Sequence, residues 1–444
     1  MEGRAVNVVV TVEHRFDRLP DGSVWTFGMN SYRLWARYQT VFETVKVVAR
    51  VRDVPTVPPD WSRADGPGIT FLAVPYYLGP RQYVAKAWQV HRALSQAVTD
   101  RDAVILRVGS HIAGCLEPVL FRAGHPYGLE VVSDPYDVFA PGAVRHWLRP
   151  FFRWWFTRHL RRQCRRAAGV AYVTRQALQA RYPCATYSVG MSDVEISPEA
   201  IVRTATAFAT HYSSVELATE ASVTQCRPAS RQEEQFRLIT IASLAQMYKA
   251  PDILIRAVGE CVTAGINLSL TIVGDGKHRP ELERLASALG LRERIRFLGQ
   301  LPAGAAVRAQ LDAADLFVLP SRSEGLPRAM IEAMARALPC LGSTVGGIPE
   351  LLPPEDLVPA SNVAALAAKI REVLSSPDRL SAMSSRNLAA AREYRDEVLD
   401  ARRRAFFEHI RSVTEQWLAA TSGAAVSPGG SYSTRDRLLP GPAR

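Results

Sequence analysis

Short apolar runs recur through the first half of the chain, at positions 7–12, 45–51, 69–74, 103–108 and 128–132, with helical or loop-like stretches between them. Strands that alternate with helices in this way predict a mainly parallel, doubly wound sheet. Between about 213 and 235 the pattern lapses into Ser, Thr, Ala, Glu and Gln with no period, which marks a linker.

Beyond that stretch the alternation becomes regular. A strand at 237–241 precedes a helix opened by Pro251, with Leu254, Val258 and Cys261 on one face and Gly265 as its stop. A strand at 268–273, the turn Gly274-Asp275-Gly276 and a helix over 280–289 closed by Gly290 come next. Strand 294–298, helix 302–313, strand 316–319, helix 327–338 and a short strand over 339–343 follow. A further helix start is expected at Ile348-Pro349-Glu350, and Asn362 is placed to cap the next helix. The pattern is α/β throughout and predicts a second doubly wound domain. Two long, polar, arginine-rich helices, 379–395 and 397–420, close the ordered part. The expected division is a first domain over 1–212, a linker over 213–235, a second domain over 236–395, a helix over 396–420 packing back on the first domain, and a disordered tail over 421–444.

Composition adds exclusions. With 47% apolar and 22% charged residues, a chain of 444 residues can bury a core, and the disordered, collagenous and disulfide-stapled classes are excluded. Positions 1–16 hold one short apolar run and no small-residue cleavage site, so neither an export signal nor a spanning helix is expected. Cys115, Cys164, Cys184, Cys226, Cys261 and Cys340 lack CxxC spacing and histidine partners at zinc-ligand distances, and read as reduced packing residues in a cytoplasmic protein. The net charge of +11 calls for an acidic partner: nucleic acid, an anionic membrane or a phosphorylated ligand.

The stretch 316–352 carries the most chemistry. Strand LFVLP leads through the loop Ser321 to Pro327 into a helix whose Met330, Met334 and Leu338 recur at i, i+4 and i+8, widened by Ile331 and Ala335, which predicts a buried stripe. Glu332 lies about 200° around the helix from Met330 and leaves that stripe. Glu324 in the loop and Glu332 in the helix therefore bracket a helix amino terminus, where free N–H groups and the positive dipole end favour a phosphate. Carboxylates on either side can accept hydrogen bonds from sugar and ribose hydroxyls. The plainer alternative is two solvated acids favoured by the dipole.

Lys249 follows a strand and precedes a Pro-opened helix, which puts it at the carboxyl edge of the sheet, where such folds bind ligands. It can neutralise a phosphate leaving group there, although a plain surface lysine fits the same pattern. Gly274 and Gly276, and Gly346 and Gly347, add glycine loops on this edge, where close backbone approach to a ligand or a simple turn would each use them.

Together these residues have a family look. Positions 237–352, with IASLAQMYKAPDILIRAV, LTIVGDG, IRFLGQL and ADLFVLPSRSEGLPRAMIEAMARALPCLGSTVGGIPELL, resemble the nucleotide-binding domain of retaining glycosyltransferases of family 4, the bacterial glycosyl transferases group 1. In the first half, Trp25, Arg37-Tyr38, the run Val47 to Arg50 and the run Glu130 to Pro135 resemble the bacterial branch of that family. The resemblance implies the GT-B architecture, two Rossmann-like domains facing an interdomain cleft, with a nucleoside-diphosphate sugar as donor substrate and no metal or other cofactor.

It also implies roles. Glu332 would bind the ribose, Glu324 with the backbone of Gly325 and Leu326 would hold the transferred sugar, and Gly274, Asp275 and Gly276 would shape the nucleotide pocket. Lys249 would sit on the diphosphate and stabilise charge as the glycosidic bond breaks. Ser243 stands on the donor side where many members carry an arginine six residues before the lysine. No histidine occupies the usual strand end of the first domain, where Ser133 and Asp134 are the groups able to face the reacting sugar. The expected function is retaining hexosyl transfer in bacterial polysaccharide, glycolipid or glycosylated natural-product synthesis. The alternative is a non-catalytic nucleotide-sugar-binding partner protein, for which Ser243 is the argument. A dinucleotide oxidoreductase is disfavoured, because no GxGxxG follows Val12 or Ile241.

The charge is also concentrated. No acidic residue lies between Asp137 and Asp193, while ten arginines do, and Arg149 and Arg153 are interleaved with Phe151, Trp154 and Trp155. Such a helix suits the surface of an anionic bilayer, with a lipid-linked acceptor and a place at the inner face of the plasma membrane. An amphipathic helix packing its rings on the first domain fits equally. Nucleic acid is the poorer partner, since no recognised binding motif accompanies the charge.

Overall fold

The computed structural model of the chain describes residues 6–28, 30–140, 146–194, 196–209, 226–228 and 235–424. Strands β1 (Val8–Arg18), β2 (Val24–Thr26), β3 (Val45–Asp53), β4 (Ser62–Arg63), β5 (Ile69–Pro75), β6 (Ala103–Val108), β7 (Gly128–Val131), β8 (Gly169–Tyr172) and β9 (Tyr187–Gly190) form the first sheet. Its parallel body runs β5-β3-β1-β6-β7-β8-β9, with β2 and β4 as a short antiparallel extension at the end of β1. All six residues of β6, Ala-Val-Ile-Leu-Arg-Val, are buried, as expected of a parallel strand covered on both faces.

The helices of this domain are α1 (Tyr32–Ala36), α2 (Gly79–Ser95), α3 (His111–Arg122), α4 (Pro135–Val138), α5 (Arg149–Arg166) and α6 (Ala177–Arg181). On one side of the sheet α3 lies between α2 and α5. The Tyr83 ring of α2 meets His111 at 4.1 Å, and the Arg166 guanidinium of α5 sits 3.7 Å from the centre of the Phe121 ring.

Two short strands, β10 (Ala207–Ala209) and β11 (Cys226–Pro228), pair in parallel, so part of the expected linker is a strand. Positions 213–225 and 229–234 of that stretch lie outside the described residues. The second sheet contains β12 (Phe236–Ile241), β13 (Leu268–Val273), β14 (Ile295–Gly299), β15 (Leu316–Leu319), β16 (Cys340–Ser343) and β17 (Leu357–Val358), all parallel in the order β14-β13-β12-β15-β16-β17. Around it pack α7 (Pro251–Thr263), α8 (Arg279–Ala288), α9 (Ala305–Asp312), α10 (Arg328–Ala335), α11 (Val363–Leu374) and α12 (Pro377–Ala391). The stripe Met330, Met334 and Leu338 is buried. The Asn362 side chain accepts from the Ala365 N–H at 2.9 Å, capping α11.

Three expectations change. The helix expected at Ile348 is a single 3-10 turn, because Pro353 and Pro354 follow closely and bring no N–H to continue it. The last helix, α13 (Asp396–Ala424), runs four residues into the stretch assigned to the tail, and 425–444 lie outside the described residues. The first domain also ends earlier than position 212. The Val202 N–H donates to the Ala335 carbonyl at 3.0 Å, and the Thr206 N–H to Ser384 Oγ at 2.8 Å, so this segment already packs on the second domain.

Helix α13 returns to the first domain. Phe406, Phe407 and Ile410 are buried in a core with Val8, Val47 and Ile105, and the Phe407 ring stacks on Tyr38 at 4.5 Å. A Cβ at Gly128, which opens β7, would stand 2.8 Å from Ile410, so glycine lets the helix lie directly on the strand start. The two crossings between the domains are tied to each other. The Ile196 N–H donates to Asp396 Oδ1 at 3.0 Å, and the Asp396 N–H to the Ile196 carbonyl at 3.3 Å.

Candidate active site

The carboxyl ends of the two sheets face each other across a cleft of about 490 Å³. On the second-domain side, β15 runs into the loop that carries Glu324. Glu324 Oε1 accepts from Ser321 Oγ at 2.7 Å and from Lys249 Nζ at 2.5 Å. Ser343 Oγ of β16 donates to the Ser321 carbonyl at 2.6 Å and pins the loop to the sheet.

Lys249 is held from behind. It ends a 3-10 turn, Met247–Lys249, which breaks at Ala250 in the left-handed conformation (φ 53°) before Pro251 opens α7. Arg322 of the Glu324 loop stitches this turn in place, donating to the Met247 carbonyl and gripping Asp252 with two bonds of 2.8 and 2.6 Å. The lysine and the glutamate, 75 residues apart, thus meet through a shared, largely buried scaffold.

The first-domain wall contains Val132, Ser133 and Asp134 at the end of β7, together with Val138, Val173, Ser192, Asp193 and Arg107. Asp134 is not a free base. Its Oδ1 accepts from the Tyr136 N–H at 2.9 Å and from Tyr182 Oη at 2.5 Å, and Oδ2 pairs with Arg181. The carboxylate is consumed in capping α4 and anchoring Arg181, which argues against the catalytic role considered from sequence. Its neighbour Asp137 is pushed up to about 6 by burial and by the charge of Asp134, against the pull of Arg181 and Arg153.

The wall also holds Arg107 and Asp193, to which the sequence assigned no role. Arg107 Nη1 donates to Glu130 Oε2 at 2.6 Å and Nη2 to Asp193 Oδ2 at 2.7 Å, while Tyr38 Oη donates to Glu130 Oε1 at 2.7 Å. Burial pushes the Glu130 carboxyl up against the pull of Arg107. Burial also acts to raise Asp193, but Arg107, Arg328 and Arg37 outweigh it and hold that carboxyl below the usual range. Asp193 is therefore an ionised hydrogen-bond acceptor on the cleft surface. A lone arginine in an apolar strand and a lone aspartate in a loop gave no pattern by which to find this cluster.

The remaining sequence candidates divide. Gly325 and Leu326 line the cleft with Lys249 and Glu324. Glu332 stands apart from it on α10, where burial raises its carboxyl above the usual range, against Arg328 and Arg308. Ser243 and the Gly274–Gly276 turn meet each other rather than the cleft. A Cβ on Gly274 would fall 2.0 Å from the Ala242 carbonyl oxygen, and one on Gly276 would fall 2.1 Å from the Ala245 nitrogen, both at positive φ. These glycines admit the neighbouring loop of the chain itself. Arg149, Arg153, Trp154 and Trp155 lie together on α5, outside the cleft.

The domains touch beside the cleft. The Glu350 carboxylate accepts from the N–H groups of Arg175, Gln176 and Ala177 at 2.6, 3.1 and 2.6 Å, capping α6 across the boundary.

Residues 224–389 match the model of the family described as glycosyl transferases group 1. The chain resembles that family over its second domain. Its fold is GT-B, as in Anabaena HepE solved with UDP-glucose, which superposes with a TM-score of 0.56 at 16% identity over 93% of this chain and 99% of the other. Among relatives, protein CapJ of Staphylococcus aureus is 24% identical over 82% of this chain and 88% of its own length. A GDP-mannose-dependent phosphatidylinositol monomannoside mannosyltransferase of Corynebacterium glutamicum is 34% identical over 31% of this chain and 38% of its own length. The Lys249–Glu324 pair, the loop behind it and the Glu350 carboxylate fall within the matched residues.

Proposed function

We propose that the protein transfers a hexose from a nucleoside-diphosphate sugar to an acceptor hydroxyl with retention at the anomeric carbon, and that no metal takes part. The observation that carries this reading is the Lys249–Glu324 pair at the cleft wall, 2.5 Å apart and backed by Ser321, Ser343 and Arg322. Support for a nucleotide-sugar donor comes from the UDP-glucose of HepE and the GDP-mannose named for the mannosyltransferase.

In the free site the ammonium and the carboxylate neutralise each other. A bound donor exchanges that contact for two: the diphosphate takes the lysine, and sugar hydroxyls take the carboxylate. Arg328, on the first turn of α10 and without an ion pair among the described residues, adds a second cation beside the phosphates, the contact that Ser243 does not supply. The N–H groups of Gly325 and Leu326 add dipoles of the same sense. As the anomeric C–O bond breaks, its electron pair passes to the diphosphate oxygen. The acceptor oxygen bonds to the same face of the carbon, and its proton passes to the departing phosphate. Lys249 stabilises the growing charge. Asp193, on the opposite wall, accepts a hydrogen bond from the acceptor. The synthetic setting is a bacterial polysaccharide, glycolipid or glycosylated natural product, with a lipid-linked acceptor brought to the first domain at the inner membrane face.

A panel of nucleotide-sugars tested for thermal stabilisation identifies the donor, since a ligand present at 100 times its Kd adds about 2.7 kcal/mol. With that donor, Lys249→Ala is expected to lower kcat by about 10²–10³-fold while the chain stays folded. If no nucleotide-sugar stabilises the protein, the transferase reading fails.

A further inference from the structure

Helix α5 presents two different aromatic faces. Phe152 and Phe156, the latter still 38% exposed, pack along one side on Phe139, with ring centres 5.8 and 5.5 Å from it. Phe151, Trp154 and Trp155 turn outward and touch one another, with ring centres 5.9 to 6.3 Å apart. They are 49%, 56% and 51% exposed, and Trp147 just before the helix is 84% exposed. Large rings clustered in water with nothing over them mark a surface that meets something else.

The charge on the same helix is graded. The outward rings occupy its first two turns. The outward positions of the later turns are Arg158, Arg162 and Arg165, and no carboxylate lies on the helix. Arg162 leans on Glu117 of α3 at 3.5 Å. Arg158 and Arg165 hold no ion pair or hydrogen bond among the described residues.

The ring-bearing end is fastened to the cleft edge. Arg153 Nε donates to the Tyr136 carbonyl at 2.8 Å with its guanidinium 3.5 Å from the centre of the Tyr136 ring, and Arg149 reaches the Phe139 carbonyl at 3.3 Å. Tyr136 belongs to α4, whose flanking Asp134 and terminal Val138 line the cleft. Beyond α3, helix α2 exposes two more apolar side chains, Val84 and Trp88, in the same helical layer.

We infer that the outer face of α5 docks on an anionic lipid bilayer, ring end first, and so holds the mouth of the cleft at the headgroup level. Tryptophan and phenylalanine rings settle at the boundary between headgroups and chains, while arginines C-terminal to them lie along the lipid phosphates. No helix among the described residues is long and apolar enough to cross a membrane, so this attachment is peripheral. It gives the proposed lipid-linked acceptor a geometric reason, and in that respect rests on the transferase reading. The docking itself is tested without it.

The test is flotation of the full chain with vesicles of phosphatidylcholine alone and of phosphatidylcholine mixed with phosphatidylglycerol. The expected result is retention on the mixed vesicles only, falling as salt rises. Arg158→Glu with Arg165→Glu should weaken it by at least about thirtyfold, and Trp154→Ala with Trp155→Ala by at least about tenfold. Both double variants change exposed side chains and should keep the parent's melting point and its stabilisation by the donor, which keeps a failure of docking separate from a failure of the donor reading. Absence of retention, equal retention on both vesicles, or undiminished retention of the variants overturns the proposal. So does displacement from vesicles by RNA that the same variants abolish, which would make nucleic acid the partner.

Discussion

At the scale of the residue, the site depends on a few carboxylates placed in contrasting surroundings. Glu324 is held against a lysine, Asp193 against an arginine, and Asp134 is closed in by Tyr182 and Arg181. Asp137 is the exception, buried beside a like charge, and its folded-state value of about 6 lies above the ordinary 3.8. A raised carboxyl contributes stability that is fully present below the unfolded value and is lost as pH rises through the folded one. Urea unfolding of the parent should therefore show stability falling between about pH 4 and pH 6 from this group, and Asp137→Asn should remove that fall, on the order of 3 kcal/mol. Identical pH slopes in parent and variant would refute the assignment. Glu324 and Lys249 were legible in the sequence because each sits at a strand-to-helix junction, where a polar residue has few structural duties. Arg107 and Asp193 were not, since only the fold shows that a strand arginine and a loop aspartate 86 residues on share one wall.

At the scale of the element, apolar run length predicted most strands well. The run 103–108 became β6 with the same limits, because six consecutive apolar or aliphatic-stemmed positions suit a strand buried on both faces. Helix starts were less legible where proline serves two purposes. Pro251 opens a helix of 13 residues, whereas Pro349 opens one 3-10 turn that Pro353 ends. The glycines of the 274–276 turn accommodate the loop carrying Ser243, 2.0 to 2.1 Å from any added Cβ, where the sequence left a simple turn and close approach to a ligand both open. Gly276→Ala should therefore push that loop away, costing about 1–3 kcal/mol in strain and weakening donor binding while leaving Lys249 chemistry in place. Thermal unfolding and a donor titration measure both effects. An alanine variant with the parent's melting point and donor affinity would show that the loop has room to spare.

At the scale of the whole molecule, the two domains are joined by paired crossings and by the Glu350 cap, and the last helix belongs to the first domain. Phe407 is the side chain that tests this arrangement, because it stacks on Tyr38, which in turn donates to Glu130 below the cleft. Phe407→Ala should cost about 3–5 kcal/mol in urea unfolding of the full chain. A loss below about 1 kcal/mol would mean that the helix merely rests on the sheet.

The same helix sets a schedule for synthesis. The strands of the first sheet leave the ribosome early, but the phenylalanines that cover one of its faces come from beyond position 400. At 5–20 residues per second, the half-built nascent chain must wait about ten to forty seconds with that face uncovered. Over that interval a chaperone that shields exposed aromatic and aliphatic surface on the nascent chain would have its greatest effect on yield.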